Sequence, residues 1–181
     1  MQKEGLLMNS IELMDGRLIL IPAYDHKEEI RELFGMYTDI LVQGDPKFRK
    51  FLEIQRYDDE LENPEEKYGM PGGRLYLAYM DGEIAGCIAL RKIDDKLCEL
   101  KRLYVKQEFR GRHIAKQLVK VIIDDAEKIG YDKLLLDTLP FLTTALKMYK
   151  ELGFYETERY NDSPLDTSIY LALDLKQSNR I

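Results

Sequence analysis

The sequence predicts an α/β domain on a mixed, mostly antiparallel central sheet with one parallel step, flanked by helices. Three observations carry this. Between residues 74 and 105 apolar positions recur with a period of two, interrupted by Asp81-Gly82 and Asp94-Asp95, the pattern of an antiparallel meander. From Ile114 the period lengthens: Ile114, Leu118, Val121, Ile122, Ala126 and Ile129 form one helical stripe that Gly130 ends. The apolar run Leu134-Leu135-Leu136 follows, and a crossover helix between two strands makes them parallel neighbours.

Taken in order, residues 1–15 have mixed polarity and read as an N-terminal extension, with a single domain over residues 16–181. Residues 18–21 form a short apolar strand ended by Pro22. Asp25 is a suitable N-cap for a helix carrying Ile30, Leu33, Phe34, Tyr37 and Leu41, which Gly44-Asp45-Pro46 breaks. A second helical stretch holds Phe48, Phe51, Leu52 and Ile54 and fades into the acidic run 58–66, read as a solvated helix end. Residues 70–73 are a loop. Strands then run over 74–80, 83–92 and 97–105. After the long helix and the Leu134 strand, a helix spans about 141–152 and stops at Gly153. Two strands, near 154–159 and 168–173, close the chain as a hairpin.

Composition narrows the function. The chain has 181 residues, 45% hydrophobic and 33% charged, enough for one self-sufficient core. Its net charge of −6 argues against general nucleic-acid binding, which needs a surplus of Lys and Arg. No apolar run is long enough for a bilayer, and residues 1–10 lack the apolar stretch of a signal peptide; the expected location is the cytoplasm, with no membrane partner. Two Cys, Cys87 and Cys98, and two His leave no zinc pattern, so no metal is expected.

The most informative stretch is Val105-Lys106-Gln107-Glu108-Phe109-Arg110-Gly111-Arg112-His113-Ile114-Ala115, where the third meander strand meets the long helix. A helix start offers unpaired backbone N–H groups and partial positive charge to a phosphate. Gly111 lets the backbone come close to such a ligand. The chain has neither G-x-x-x-x-G-K-[ST] nor G-x-G-x-x-G, so neither a P-loop nor a dinucleotide loop is present.

These residues resemble the pyrophosphate loop of the GNAT superfamily of N-acetyltransferases, roughly [QR]-x-x-G-x-[GA]. Arg110, Gly111, Ile114 and Ala115 match, while Glu108 and His113 depart from the usual Gln or Arg and small residue. Residues 99–105 look like the strand that enters this loop in many bacterial members. Ala145, Tyr149, Gly153 and Phe154 match a late helix motif, with Leu142 in place of its usual Asn.

The resemblance implies acetyl-CoA as donor and direct transfer of its acetyl group to an amine in a ternary complex. It implies that Arg110, Gly111, Arg112, His113, Ile114 and Ala115 hold the pyrophosphate. The strand end at Leu103, Tyr104 and Val105 would splay from its neighbour and present backbone groups to the pantetheine arm and the acetyl oxygen. Glu99, four residues before Leu103 and so on the same face of a regular strand, is the candidate base, acting directly or through a water; the alternatives are an ordinary surface glutamate, with another carboxylate or water alone as the base. Tyr149 is the candidate acid for the departing thiolate; the alternative for it is a core aromatic. Residues 34–70 would wall the acceptor. Cys87 and Cys98 read as buried thiols and His26 as a surface residue. The acceptor is a small-molecule or peptide amine; the alternatives are a protein Lys or N-terminus, or a non-catalytic CoA-binding sensor module. A homodimer is a family-level expectation.

Overall fold

Alternation along residues 74–105 does build the middle of the sheet. In the computed structural model, which describes residues 9–176, strands β3 (Arg74–Met80), β4 (Glu83–Lys92) and β5 (Leu97–Val105) pair antiparallel in sequence. Asp81 and Gly82 both have positive φ, as a tight hairpin turn requires. To one side of the meander lie β2 (Leu18–Pro22) and β1 (Ile11–Leu13). Part of the 1–15 segment is thus the sheet's edge strand, and residues 1–8 of that segment lie outside the described residues. To the other side β5 meets β6 (Lys133–Thr138) in parallel, the single parallel step. The closing strands β7 (Tyr155–Glu156) and β8 (Ile169–Asp174) follow, with β8 between β6 and β7, giving the order β1-β2-β3-β4-β5-β6-β8-β7.

Helices cover both faces. On one, Leu118, Ile122 and Ala126 of α5 (Ile114–Ile129) pack on Leu90, Leu100, Leu134 and Leu136, joined by Tyr149 of α6 (Thr143–Glu151). On the other, Ile30, Leu33 and Phe34 of α1 (Lys27–Gly44) pack on Leu75, Leu77 and Ala89. Each buried Leu, Ile or Phe among them contributes about 1.5–3 kcal/mol. A third cluster joins Leu41 and α2 (Phe48–Ile54) to Leu139 and Leu165.

The acidic run does not fade into solvent. It forms two short helices, α3 (Tyr57–Glu62) and α4 (Glu65–Tyr68), because Glu60 turns inward and is 1% exposed. The helix expected over 141–152 begins only at Thr143, and β7 keeps two residues of the expected strand. Beyond Glu156 the polar stretch 158–163 offers no alternating apolar face. No helix among the described residues is long and apolar enough to cross a membrane.

One departure inside β5 matters for the site. The register between β4 and β5 shifts between Cys87 and Ala89, and Arg102 there has φ +58°. This bulge reverses the alternation of side chains. Leu100 packs with the α5 face, whereas beyond the bulge it is Leu103 and Val105 that do so and Tyr104 that joins the α1 face.

Candidate active site

The parallel step is short, and that opens the site. Only Leu97, Cys98 and Glu99 pair with β6, opposite Lys133, Leu134 and Leu135. Past them β5 runs on to Val105 and β6 to Thr138 without pairing to each other. Gly86 on β4 helps β5 stay on its meander side: a Cβ there would lie 2.1 Å from the Tyr104 carbonyl oxygen. The gap between β5 and β6 is a cavity of about 840 Å3, within the range of cofactor and small-molecule sites. Residues 100–105 form one wall and residues 136–139 the other. Tyr37, Leu41, Phe48 and Phe51 of α1 and α2 line one end, and the loop and start of α5 line the other together with α6.

At the loop end, a 3-10 turn over Gln107–Phe109 leads from β5 to Arg110 and Gly111. Gly111 has φ +79°, and a Cβ on it would meet nothing within 4 Å. It therefore stands on open space, as a backbone approach to phosphate requires. His113, the residue before α5, is also left-handed at φ +60°, a conformation costing about 1–2 kcal/mol for a residue with a Cβ. A glycine, one of the small residues that the resembled loop has at this position, would be free of that strain. The Arg110 Nε donates to the Val105 carbonyl at 3.2 Å, pinning the loop to the strand end.

Of the residues singled out by sequence, Leu103, Tyr104, Val105, Arg110, Gly111, His113, Ile114, Ala115 and Tyr149 line this one cavity. Arg112 does not; its guanidinium lies over the Phe109 ring at 5.4 Å. Tyr149 is buried and packs edge-on against Phe154. Burial pushes its phenol well above the usual tyrosine range, and the nearby Tyr37 and Asp137 push it the same way. It is therefore a protonated group at neutral pH.

Glu99 is not on the cavity wall. The reasoning that put it on the face of Leu103 fails because the bulge at Arg102 lies between the two. Its carboxylate is 2% exposed and accepts from Arg91 Nε at 2.9 Å and from the Tyr160 hydroxyl at 2.6 Å. Burial raises its pKa, but the charges of Lys101 and Arg91 and these hydrogen bonds outweigh it and hold the group below the usual range.

Two carboxylates do line the cavity: Glu151 of α6, 3.8 Å from Lys116 Nζ, and Asp137 of β6, across the gap from β5. The signal for Asp137 in the sequence is an acidic residue directly after Leu134-Leu135-Leu136; it sits within β6, paired with Tyr170 of β8, two residues past the last pairing with β5.

A second cluster sits behind the α1–α2 end. Glu60 Oε2 accepts from Arg102 Nε at 2.7 Å, and its Oε1 accepts from Arg102 Nη2 at 3.1 Å, Lys67 Nζ at 2.9 Å and the Tyr68 hydroxyl at 2.9 Å. Burial alone would raise the carboxyl; the Arg102 and Lys67 charges reverse that and lower it to about 2. Burial pushes the Cys87 thiol up to about 12 and Cys98 up as well, so neither is a ready nucleophile. Among the described residues no group of three or more His, Cys, Asp or Glu could hold a metal ion.

Comparison with known proteins agrees with this geometry. The family model for acetyltransferases of the GNAT type matches residues 30–154. An uncharacterized N-acetyltransferase of Schizosaccharomyces pombe is 41% identical over 133 residues, covering 72% of this chain and 82% of its own. A crystal structure of a GNAT-family acetyltransferase from Staphylococcus aureus superposes with a TM-score of 0.68 at 26% identity, over 88% of this chain and 99% of that one. Another, from Elizabethkingia anophelis with acetyl-CoA bound, gives a TM-score of 0.51 at 30% identity over 57% of this chain and 77% of that one. A meander that splays from its parallel neighbour, a glycine loop entering a helix, and these likenesses lead to one conclusion: the chain belongs to the acetyltransferase (GNAT) family.

Proposed function

We propose that the protein is an acetyl-CoA-dependent N-acetyltransferase that moves an acetyl group to an amine by direct transfer. The observation that carries this reading is the gap between β5 and β6, open at one end to the helix start beyond Gly111 and lined at the other by Tyr37, Phe48 and Phe51. A donor with a pyrophosphate and a thin acyl-bearing arm fits such a shape. The GNAT relative from Elizabethkingia anophelis with acetyl-CoA bound supports the choice of donor. When bound, acetyl-CoA supplies an activated thioester acyl group.

The chain's own groups then divide the work. Backbone N–H groups of residues 110–115 hold the pyrophosphate. Past Glu99, β5 has no strand partner on the β6 side, so backbone groups of Leu103, Tyr104 and Val105 are available to the arm and the carbonyl oxygen. Asp137 takes the proton from the attacking amine. Glu99, tied by Arg91 and Tyr160, was the other carboxylate for that role and here fixes those two side chains instead. Tyr149 gives its proton to the departing sulfur; its raised pKa keeps it loaded through neutral and mildly alkaline pH.

The test is release of CoA thiol from acetyl-CoA against a panel of amines, with Tyr149→Phe beside the parent. The ring remains, so packing on Phe154 is retained. Acetyl-CoA affinity should stay near parental while turnover falls roughly 10- to 10³-fold. Parental turnover in Tyr149→Phe across the pH range would leave Tyr149 as packing and remove the acid from the scheme.

A further inference from the structure

The acceptor end of the cavity is mostly apolar, with Tyr37, Leu41, Phe48 and Phe51 around it. Two polar side chains there have donors to spare. Lys101 Nζ, on β5, contacts only Gln55 Oε1, at 3.3 Å, with no carboxylate at ion-pair distance among the described residues. Gln55 Oε1 also accepts from Arg102 Nη2 at 2.9 Å. Two cationic donors on one atom fix which end of the amide is oxygen. The other end, Nε2, is therefore the N–H end, and it is buried without an acceptor. Folded proteins rarely leave such a donor unmade.

The charge around these groups is lopsided. Arg91, Lys67, Lys101 and Arg102 stand against Glu60 and Glu99. Arg102 and Lys67 are answered by Glu60 and Arg91 by Glu99. Lys101, whose charge reaches Glu99 through space without an ion-pair contact, is the cation at the wall with no carboxylate touching it, in a chain whose net charge is −6. An apolar pocket holding one ammonium with no contacting carboxylate beside one amide N–H with no acceptor suits a single planar anion with two oxygens, one for each donor. A phosphate dianion would need more positive charge than Lys101 supplies.

We propose that the amine acceptor carries a carboxylate, and that Lys101 and Gln55 hold it. This rests on the acetyl-transfer reading and narrows its acceptor to small amino acids and their like.

The experiment measures CoA thiol release from acetyl-CoA with free L-amino acids, each paired with its own carboxamide. The acids should exceed their amides by at least about 10-fold in kcat/KM. Lys101→Met should raise KM for the best acid by about 10- to 100-fold and erase its advantage over the amide, with acetyl-CoA affinity by calorimetry unchanged. Lys101→Arg should restore the preference in large part. Equal or better use of the amides, no acetylation of any carboxylate-bearing amine, or an intact acid-to-amide ratio in Lys101→Met would each overturn the proposal. Acetyl-CoA binding, read in the same samples, separates that failure from failure of the acetyl-transfer reading.

Discussion

Replacing Glu60 by Gln tests how the wall of the site is held in place. Glu60 is 1% exposed and accepts four hydrogen bonds, from Arg102 Nε and Nη2, Lys67 Nζ and the Tyr68 hydroxyl. Glutamine keeps the volume and one acceptor but leaves the Arg102 guanidinium buried beside a neutral amide. Breaking a buried pair in this way costs about 3–5 kcal/mol. Linkage gives a similar figure: a carboxyl lowered from 4.5 to about 2 on folding contributes about 3 kcal/mol at neutral pH. Arg102 is the partner that matters, since burial lowers the Lys67 pKa despite the same carboxylate. The sign follows from the lowered value. The stabilisation is complete above about pH 4.5 and is lost as pH falls toward 2. Thermal melts followed by circular dichroism between pH 2.5 and 7 read both parts. We expect the variant to melt about 6–12 °C lower at pH 7, and the gap to narrow steadily as pH falls from 4.5 to 2.5. A loss under about 1 kcal/mol, or a gap that does not narrow in acid, would refute the claim that this pair anchors the bulged strand.

Two further outcomes follow from the site. Asp137→Asn should cut turnover on the order of 10²-fold and remove the acidic limb of the pH–rate profile, while Glu99→Gln should keep that limb and lower stability; the reverse pattern in steady-state kinetics would return the base to Glu99. His113→Gly should leave acetyl-CoA affinity unchanged and alter stability by about 0 to +1 kcal/mol, because relief of about 1–2 kcal/mol of left-handed strain is offset by unfolded-chain entropy. A clear loss on urea unfolding would mean that the imidazole makes a needed contact.

The meander, the parallel step and the helices were legible because each rests on local periodicity or on a turn residue, as with Asp81-Gly82 and Gly130. The loop at Gly111 was legible for the same reason: a glycine between a strand and a helix carries its own explanation. Glu99 was misplaced because a bulge leaves no mark that a count of alternating residues detects. Arg102, at φ +58°, has its guanidinium held by Glu60, 42 residues earlier, a partner that no local pattern points to. The same long-range pair hid the buried Glu60 inside a run that looks solvated. Asp137 was readable as a carboxylate near a strand end, but its place on the cavity wall depends on β5 and β6 separating there, which no single strand encodes.

On the proposed function, the gap between β5 and β6 holds acetyl-CoA by the backbone beyond Gly111. Isothermal titration of acetyl-CoA into the parent and into Gly111→Glu tests it most directly. Nothing lies within 4 Å of a Cβ at Gly111, so a glutamate there clashes with no packed group, although φ +79° adds about 1–2 kcal/mol of strain; melting curves will verify that the variant folds. Its side chain would put a negative charge where the pyrophosphate belongs. The account predicts measurable binding to the parent, and binding weakened at least about 100-fold in the folded variant, the scale of losing two charge-assisted contacts. Equal affinity in the two proteins, or no binding to the parent, would contradict it.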